Sequence, residues 1–397
     1  MRLRWIGIGG VISVVVPLAC ASEGDVGPQG PADAGSGADS GVVADGSGDR
    51  ADAEVDAEAG IDSCAVLGLC VASAPIDSSI NLTSVWGSSA SDVWAVGTNR
   101  TVVHYDGSKW EKHVIENDPT SSATMRAVWV GRSDDVWIVD GLVLRHSTGW
   151  KGDATEWSSY HFYPPGTATG NAPFGLSGRD GSVWIARLGW VQYDPPGTLI
   201  KCSGWGEGGA LVDAEHLGYS GNDQTYFTSG YGAVAMTRAD EAWATSLAVA
   251  VWSGSRVMRV VRSDTEPTVW RHEEFDSRTV RELHGIWGNE DVVWLVGEGG
   301  VTRRMTRSAI PSRAFEVIET PVNDTLRGVF GFGPDDVWAV GDESTILHWD
   351  GQSWTKLATP FDGAGLKPRL FGVWGSSKDD VWIVGGGVVI HFERRGA

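Results

Sequence analysis

A tryptophan-anchored segment returns seven times along this chain, and it restricts the fold more than anything else in the sequence. The first copy reads Val85-Trp86-Gly87, then Asp92-Val93-Trp94-Ala95-Val96-Gly97, then His104-Tyr105-Asp106-Gly107 and Trp110. Sharp copies follow from Val128-Trp129 to Trp150, Ile286-Trp287-Gly288 to Gly297, Val329-Phe330-Gly331 to Trp354, and Val373-Trp374-Gly375 to His391. Two degraded copies lie between them, Ser182-Val183-Trp184-Ile185-Ala186 and Glu241-Ala242-Trp243-Ala244-Thr245. The anchors are Trp94, Trp137, Trp184, Trp243, Trp294, Trp338 and Trp382, spaced by 43, 47, 59, 51, 44 and 44 residues. A period of about 40–50 residues with four short strands per copy is the range of propeller blades.

Each copy reads as four strands. Val-Trp-Gly is the first and Asp-Val-Trp-x-Val-Gly, with strand-type residues, the second. Gly97, Gly297, Gly341 and Gly385 end the second strand, where a positive φ is expected. The third strand, such as Thr345 to Trp349, closes in Asp106-Gly107 or Asp350-Gly351, a type I′ hairpin signal. The fourth starts at Trp110, Trp150, Trp270 or Trp354. In the degraded copies Leu176 and Ala235 replace the first-strand tryptophan. One such sheet alone would be unstable, whereas seven in a ring bury both faces of each. The last copy stops at Ala397 soon after its third strand. The segment between Cys70 and Leu82 is therefore expected to supply the outer strand and close the ring, leaving only short edges. The expectation is an all-β protein, a single seven-bladed β-propeller of four-stranded antiparallel blades over residues 64–397, acting as a monomer. The 54 glycines and 21 tryptophans agree with many turns and a core that reuses one large residue.

The N-terminus reads as an address. Arg2 and Arg4 precede an apolar run from Trp5 to Val16, and Pro17-Leu18-Ala19-Cys20 follows. Such a run is short for a membrane span and suits a signal peptide over residues 1–20. The small Ala19 before Cys20 resembles the lipobox of bacterial lipoproteins, although Pro17 and Leu18 depart from the usual residues. That resemblance implies lipidation at Cys20. It also implies outer-membrane or surface placement, because Ala21 stands where the inner-membrane retention signal has Asp. Residues 21–63 carry eleven acidic side chains, one basic and no aromatic. A segment of this composition cannot bury enough apolar area to fold and is expected to be a disordered, self-repelling tether. In an oxidising compartment Cys64 and Cys70 are expected to pair across a small loop, with pairing of either to Cys202 left open. No Cys-x-x-Cys or paired-His spacing points to zinc, and no metal or other cofactor is expected.

The net charge of −20 includes no basic patch, which disfavours nucleic acid. The Val-Trp-Gly…Asp-Val-Trp-x-Val-Gly pattern resembles the Trp-rich propeller repeats of secreted bacterial proteins and, more weakly, tectonin-type repeats. The likeness covers about residues 80–397 and implies a propeller. It implies little about function, since propellers host enzymes, lectins and scaffolds alike.

Asp92, Asp135, Asp336 and Asp380 precede the anchors, and His104, His146, His348 and His391 follow them by nine or ten residues. Equivalent positions on successive blades lie on a circle and cannot converge on one substrate or metal. Both sets therefore read as structural, each Asp accepting bonds from its own turn. Stretches that break the repeat are better candidates for ligand binding. The first, 151–175, holds Trp157, Tyr160 and Tyr163; the second, 197–232, holds Trp205, Tyr219 and Tyr226. Asp213, Glu215 and His216 form a local acidic cluster that a glycan hydrolase could use. There is no Gly-x-Ser-x-Gly, His-Glu-x-x-His or phosphate-binding glycine loop, and no catalytic residue is assigned. The expected function is a non-catalytic, envelope-anchored scaffold binding a protein or glycan, touching the membrane only through its lipid. A tectonin-like lectin and a glycan hydrolase are the alternatives.

Overall fold

The computed structural model describes residues 68–115, 124–162, 173–179, 181–187, 199–217, 228–248 and 255–394. The chain divides into two units, Met1–Asp56 and Ala57–Ala397, and every described residue falls in the second. Seven four-stranded antiparallel sheets follow one another as the blades of a propeller.

The second strands Asp92–Gly97, Asp135–Asp140, Asp336–Gly341 and Asp380–Gly385 are buried along their whole length after the first residue. A strand covered on both faces needs a near-continuous apolar run, and Val-Trp-Ala-Val supplies one. The inner strands, Leu82–Ser89 in blade 1 through Leu370–Ser377 in blade 7, line the axis. Blade 7 takes its outer strand from the other end of the chain. Leu69–Val71 pairs antiparallel with Val388–Glu393, with Cys70 opposite His391. The closing strand is only three residues long and lies at the start of the segment expected to form it; beyond Val71 that segment is not a strand but carries the chain inward to blade 1.

The glycines that end the second strands do not need a positive φ. Gly297 and Gly341 sit at φ −170° and −166°, ordinary extended backbone. What excludes a side chain is proximity, because the link entering each blade crosses directly over this glycine. A Cβ at Gly97, Gly297, Gly341 or Gly385 would collide with the carbonyl oxygen of Asn81, Glu282, Thr325 or Arg369. Those same carbonyls accept the next backbone N–H, Thr98, Glu298, Asp342 and Gly386, at 2.9–3.0 Å.

Three turn and strand assignments also change. In Asp106-Gly107-Ser108-Lys109 only Gly107 has a positive φ, +93°, so the turn is not type I′. Asp106 instead caps it, its Oδ1 accepting the N–H groups of Ser108 and Lys109 at 2.8 and 2.9 Å. Asp350-Gly351 repeats the arrangement, with Gly351 at +95°. The outer strand of blade 2 is Ser158–His161 and does not start at Trp150. The intervening residues make an extra turn held by Thr155, whose Oγ1 accepts the Lys151 N–H at 2.9 Å and donates to the Gly152 carbonyl at 2.7 Å. The stretch 197–232 is not all loop either. It holds the third and outer strands of blade 3, Leu199–Cys202 and Glu215–Leu217, and a small added hairpin, Gly204–Trp205 with Leu211–Val212.

Candidate ligand pocket in the central channel

The anchor residues fix the frame of each blade. All seven tryptophans are at most 2 % exposed. In every blade the residue directly across from the anchor on the third strand can carry positive charge: His104, His146, Lys201, Arg259, Arg304, His348 and His391. Each Asp before an anchor meets that imidazole. Asp92, Asp135, Asp336 and Asp380 lie 2.8, 3.0, 2.9 and 2.6 Å from the Nε2 atoms of His104, His146, His348 and His391. Trp94 and Trp137 add their indole N–H to the same Asp at 2.8 and 2.7 Å, while Trp338 and Trp382 make no such bond. Only part of the expected turn-capping role is present, in the bonds of Ser88 and Ser376 to Asp92 and Asp380. Burial alone would raise the Asp92 carboxyl, but the bonds from His104, Ser88 and Trp94 outweigh it and hold it below the usual range. Asp135 is lowered in the same way.

Blade 4 rebuilds the motif with Glu241 for Asp and Arg259 for His. Glu241 is fully buried and accepts bonds from Trp243 Nε1 at 3.1 Å, Arg259 Nε at 2.9 Å and Thr237 Oγ1 at 2.6 Å. Arg307, from blade 5, donates to both its oxygens at 2.8 and 2.9 Å. Burial opposes ionisation here too, and the combined bonds and charges still bring the carboxyl down to about 2.

The anchors also lock each blade to the next. Trp94 meets Trp150, Trp137 meets Trp205, Trp184 meets Trp270, and Trp243 meets Phe315, with ring centroids 5.2–5.9 Å apart and planes nearly perpendicular. Trp294 meets Trp354 and Trp338 meets Phe392; Trp382 of blade 7 then meets Tyr105 and Trp110 of blade 1, which completes the circle. Edge-to-face contacts of this kind add about 0.5–1.5 kcal/mol each beyond area burial.

Several of the aromatics expected at a binding site take part in this packing. Trp205 stacks on His146 at 5.1 Å and 12°. Trp157 meets Trp94 at 6.1 Å, and Tyr160 meets Phe162 at 5.0 Å. Tyr163, Tyr219 and Tyr226 lie outside the described residues, as do Cys20 and Cys64. Cys70 is disulfide-bonded, and its partner is not Cys202, a buried free thiol that burial pushes up to about 11. Glu215 is committed between blades, accepting Trp270 Nε1 at 2.8 Å and Arg262 Nη2 at 3.0 Å. Asp213 is bonded by Ser203 Oγ at 2.8 Å. The two acids therefore serve different partners.

At the axis the blades are not equivalent. By strand register the residues facing the anchors from the inner strands are Trp86, Trp129, Ser177, Ala235, Trp287, Phe330 and Trp374. Ser177, rather than Leu176, therefore holds the place in blade 3; Leu176 pairs with Ile185 one residue earlier. These rings lean onto the following blade. Trp374 lies where a Cβ on Gly87 would be, 2.7 Å away, Trp287 covers Gly331 at 2.8 Å, and Trp129 covers Gly178. A ring of the preceding blade thus keeps these glycines bare, and Gly375 likewise by Phe332; Gly288, behind Ala235 in blade 4, meets Thr237 instead. Blade 2 carries Val130 in that position, so the Trp86 ring has no glycine to lie on. It meets Phe330 of blade 6 edge-on, with centroids 5.7 Å apart.

The result is an asymmetric cavity of about 440 Å³ at the channel end where first and second strands join. Trp86, Trp287, Phe330, Phe332 and Trp374 wall one side; Ser177, Gly178 and Ala235 form the other. Three polar side chains reach it, Ser177, Arg179 and Asn289. Ser177 Oγ is used by the Met236 N–H at 2.8 Å, and Asn289 Oδ1 by the N–H groups of Asp291 and Val292. Arg179 has one weak bond, to the Thr237 carbonyl at 3.4 Å, and no carboxylate partner among the described residues. A smaller cavity of about 210 Å³ toward the other end shares Trp86, Leu176, Val234, Ile286 and Val329 as walls. There Arg126 lies over Phe174 at 4.8 Å. A larger cleft of about 710 Å³, which Trp157 borders, lies between blades 1 and 2. It is shallow and charged, and its Arg145 is engaged by Asp140 at 2.6 Å. Size, apolar walls and a few polar groups favour the 440 Å³ pocket as the ligand site.

Its chemistry is stacking and charge pairing, as no carboxylate, imidazole or thiol lines it among the described residues. Elsewhere, Glu282, His284 and Glu298 bring donor atoms within 4.8 Å of one another at the start of blade 5, with both carboxylates exposed. Blade 6 fills the matching positions with an Arg327–Asp342 ion pair at 2.6 Å. The sequence signal for the pocket was the loss of two successive inner tryptophans, visible at Ala235 and displaced by one residue at Leu176.

No protein-family model matches this chain, and no curated protein matches it. Solved structures do. YCF48 bound to D1 peptide is similar at a TM-score of 0.57 and 18% identity, over 82% of this chain and 95% of that one. YCF48 from Cyanidioschyzon merolae is similar at 0.57 and 17%, over 82% and 98%. The WD40 beta propeller domain of Doa1 follows at 0.57 and 12%, over 83% and 98%. At these identities the likeness is one of fold.

Proposed function

We propose that this chain is a non-catalytic binding propeller that takes a protein partner at the hairpin end of its central channel. One observation carries the reading. Two adjacent blades have Ser177 and Ala235 where five others have Trp or Phe, which opens a cavity faced by rings and by the Arg179 guanidinium, which has no carboxylate partner among the described residues. A propeller of similar fold, YCF48, has been seen with a peptide, so the scaffold is compatible with such a partner. The proposal extends to an exported, lipid-anchored protein held by Cys20, with residues 21–63 as tether and Cys64 as the partner of Cys70. Support for this part comes from the sequence alone.

The test is selection from a random peptide library on the mature domain, with Ala235→Trp as counter-screen. Enriched peptides should bind the native chain and fail on the variant, whose filled pocket copies the other blades. Peptides that bind both equally would place the site elsewhere. Binding on a glycan array without peptide binding would move the reading to a lectin. Membrane partition of a Cys20→Ser form would count against the anchor.

A further inference from the structure

We infer that the channel pocket selects a planar aromatic group bearing a carboxylate. This deepens the binding reading above and rests on it. Five blades place an aromatic ring at the inner-strand position facing the anchor, and rings from neighbouring blades pack against one another there, as Phe330 does with Trp287 and Trp374 at 6.1 and 6.4 Å. Blades 3 and 4 leave that ring position empty in succession, with Ser177 and Ala235. The space has the dimensions of what the repeat would otherwise put in it, and its far wall is made of rings that stack edge-to-face or offset. On the near wall Ser177 and Ala235 carry no ring of their own, and Gly178 between them is already covered by Trp129.

The second component is charge. Arg179 follows directly on that wall and spans from blade 3 to blade 4, its Nη1 only weakly bonded to Thr237. Many arginines elsewhere in the ring have a carboxylate of their own, among them Arg145, Arg259, Arg262, Arg304 and Arg327. Arg179 lines the cavity without one among the described residues, and a guanidinium fork matches a carboxylate with two parallel bonds. Asn289, its Oδ1 already engaged by backbone, has no acceptor for its amide N–H₂ among the described residues. An aromatic ring with an anionic oxygen pair a few ångströms from its edge satisfies both walls. The free small molecule and the adjacent aromatic and acidic residues of a peptide share this chemistry.

Calorimetric titration of the purified chain with indole-3-acetate, indole-3-acetamide and cyclohexylacetate tests it. The acid should bind saturably, and the amide and the saturated acid about tenfold more weakly or worse. Arg179→Gln should erase the difference between acid and amide, and Arg179→Lys should keep part of it. Ala235→Trp and, as a second filled form, Ser177→Trp should abolish binding of all three while retaining the native melting transition. Capped peptides holding Trp-Asp or Trp-Asn distinguish the sources: tighter binding of Trp-Asp than indole-3-acetate identifies a peptide, the reverse a small acid. Equal affinity for acid and amide, or an unchanged preference in Arg179→Gln, overturns the inference. If indole-3-acetate fails while library peptides remain sensitive to Ala235→Trp, this inference falls and the binding reading stands. If neither is sensitive to Ala235→Trp, both fall.

Discussion

Gly341 shows how a single missing methyl group shapes the repeat. Its backbone is ordinary, yet the Thr325 carbonyl that receives the Asp342 N–H at 2.9 Å occupies the space of a Cβ. Gly341→Ala must move that link or the strand, and overpacking of this sort costs about 1–3 kcal/mol. A urea midpoint unchanged from the native chain would show that the link yields freely. Glu241 makes the complementary case for charge. Its carboxyl lies at about 2 when folded and 4.5 in the open chain, so its stabilisation is complete above pH 4.5 and is lost as pH falls through about 2. Glu241→Gln leaves Arg259 and Arg307 facing a neutral amide in a buried site. A loss of roughly 3 kcal/mol at pH 7 is expected, together with a flatter acid limb between pH 4.5 and 2. Acid unfolding followed by tryptophan emission gives both slopes.

At the scale of strands and blades, the anchors act through partners that differ in sequence but not in role. Asp with His, and Glu with Arg, build the same bridge from second to third strand, and the ring across the seam is Trp, Phe or Tyr. Trp205→Ala should therefore lower stability by about 2–4 kcal/mol, because the Trp137 and His146 contacts go with it. It should leave pocket binding intact. A Trp205→Ala chain of native stability that lost its ligand would return this residue to the binding surface. The three-residue strand Leu69–Val71 holds the first and last parts of the blade sequence together. Leu69 is 1 % exposed, opposite Phe392. Leu69→Ala is expected to cost about 2–4 kcal/mol, read as a lowered melting temperature, out of proportion to its place at the edge of the domain.

For the whole molecule, the ring is closed and tight on one side and open on the other. Blades 5, 6, 7 and 1 fill the axis with rings; blades 3 and 4 do not. Natural proteins keep such gaps where binding needs them, at a cost in stability. The double variant Ser177→Trp with Ala235→Trp should therefore melt a few degrees higher and bind nothing at the channel. Lower stability would mean that the backbone of these two blades has adapted to small residues.

The period of the anchors and the number of blades could be read along the chain, and so could closure by an N-terminal strand, although that strand is Leu69–Val71 and not the stretch from Cys70 to Leu82. They depend on residue types recurring at fixed separations, and burial on both faces imposes the same demand on every copy. Separations in space were not legible. The carbonyl over Gly341, the imidazole against Asp92 and the ring over Gly178 each belong to another strand or another blade; strand pairing within a blade brings the first two into contact, and the packing of blade 2 on blade 3 the third. The pocket is the clearest instance: Ala235 read alone is a degraded repeat. It becomes a wall only once Trp287 of the next blade and Phe330 and Trp374 further round the ring close the cavity with it.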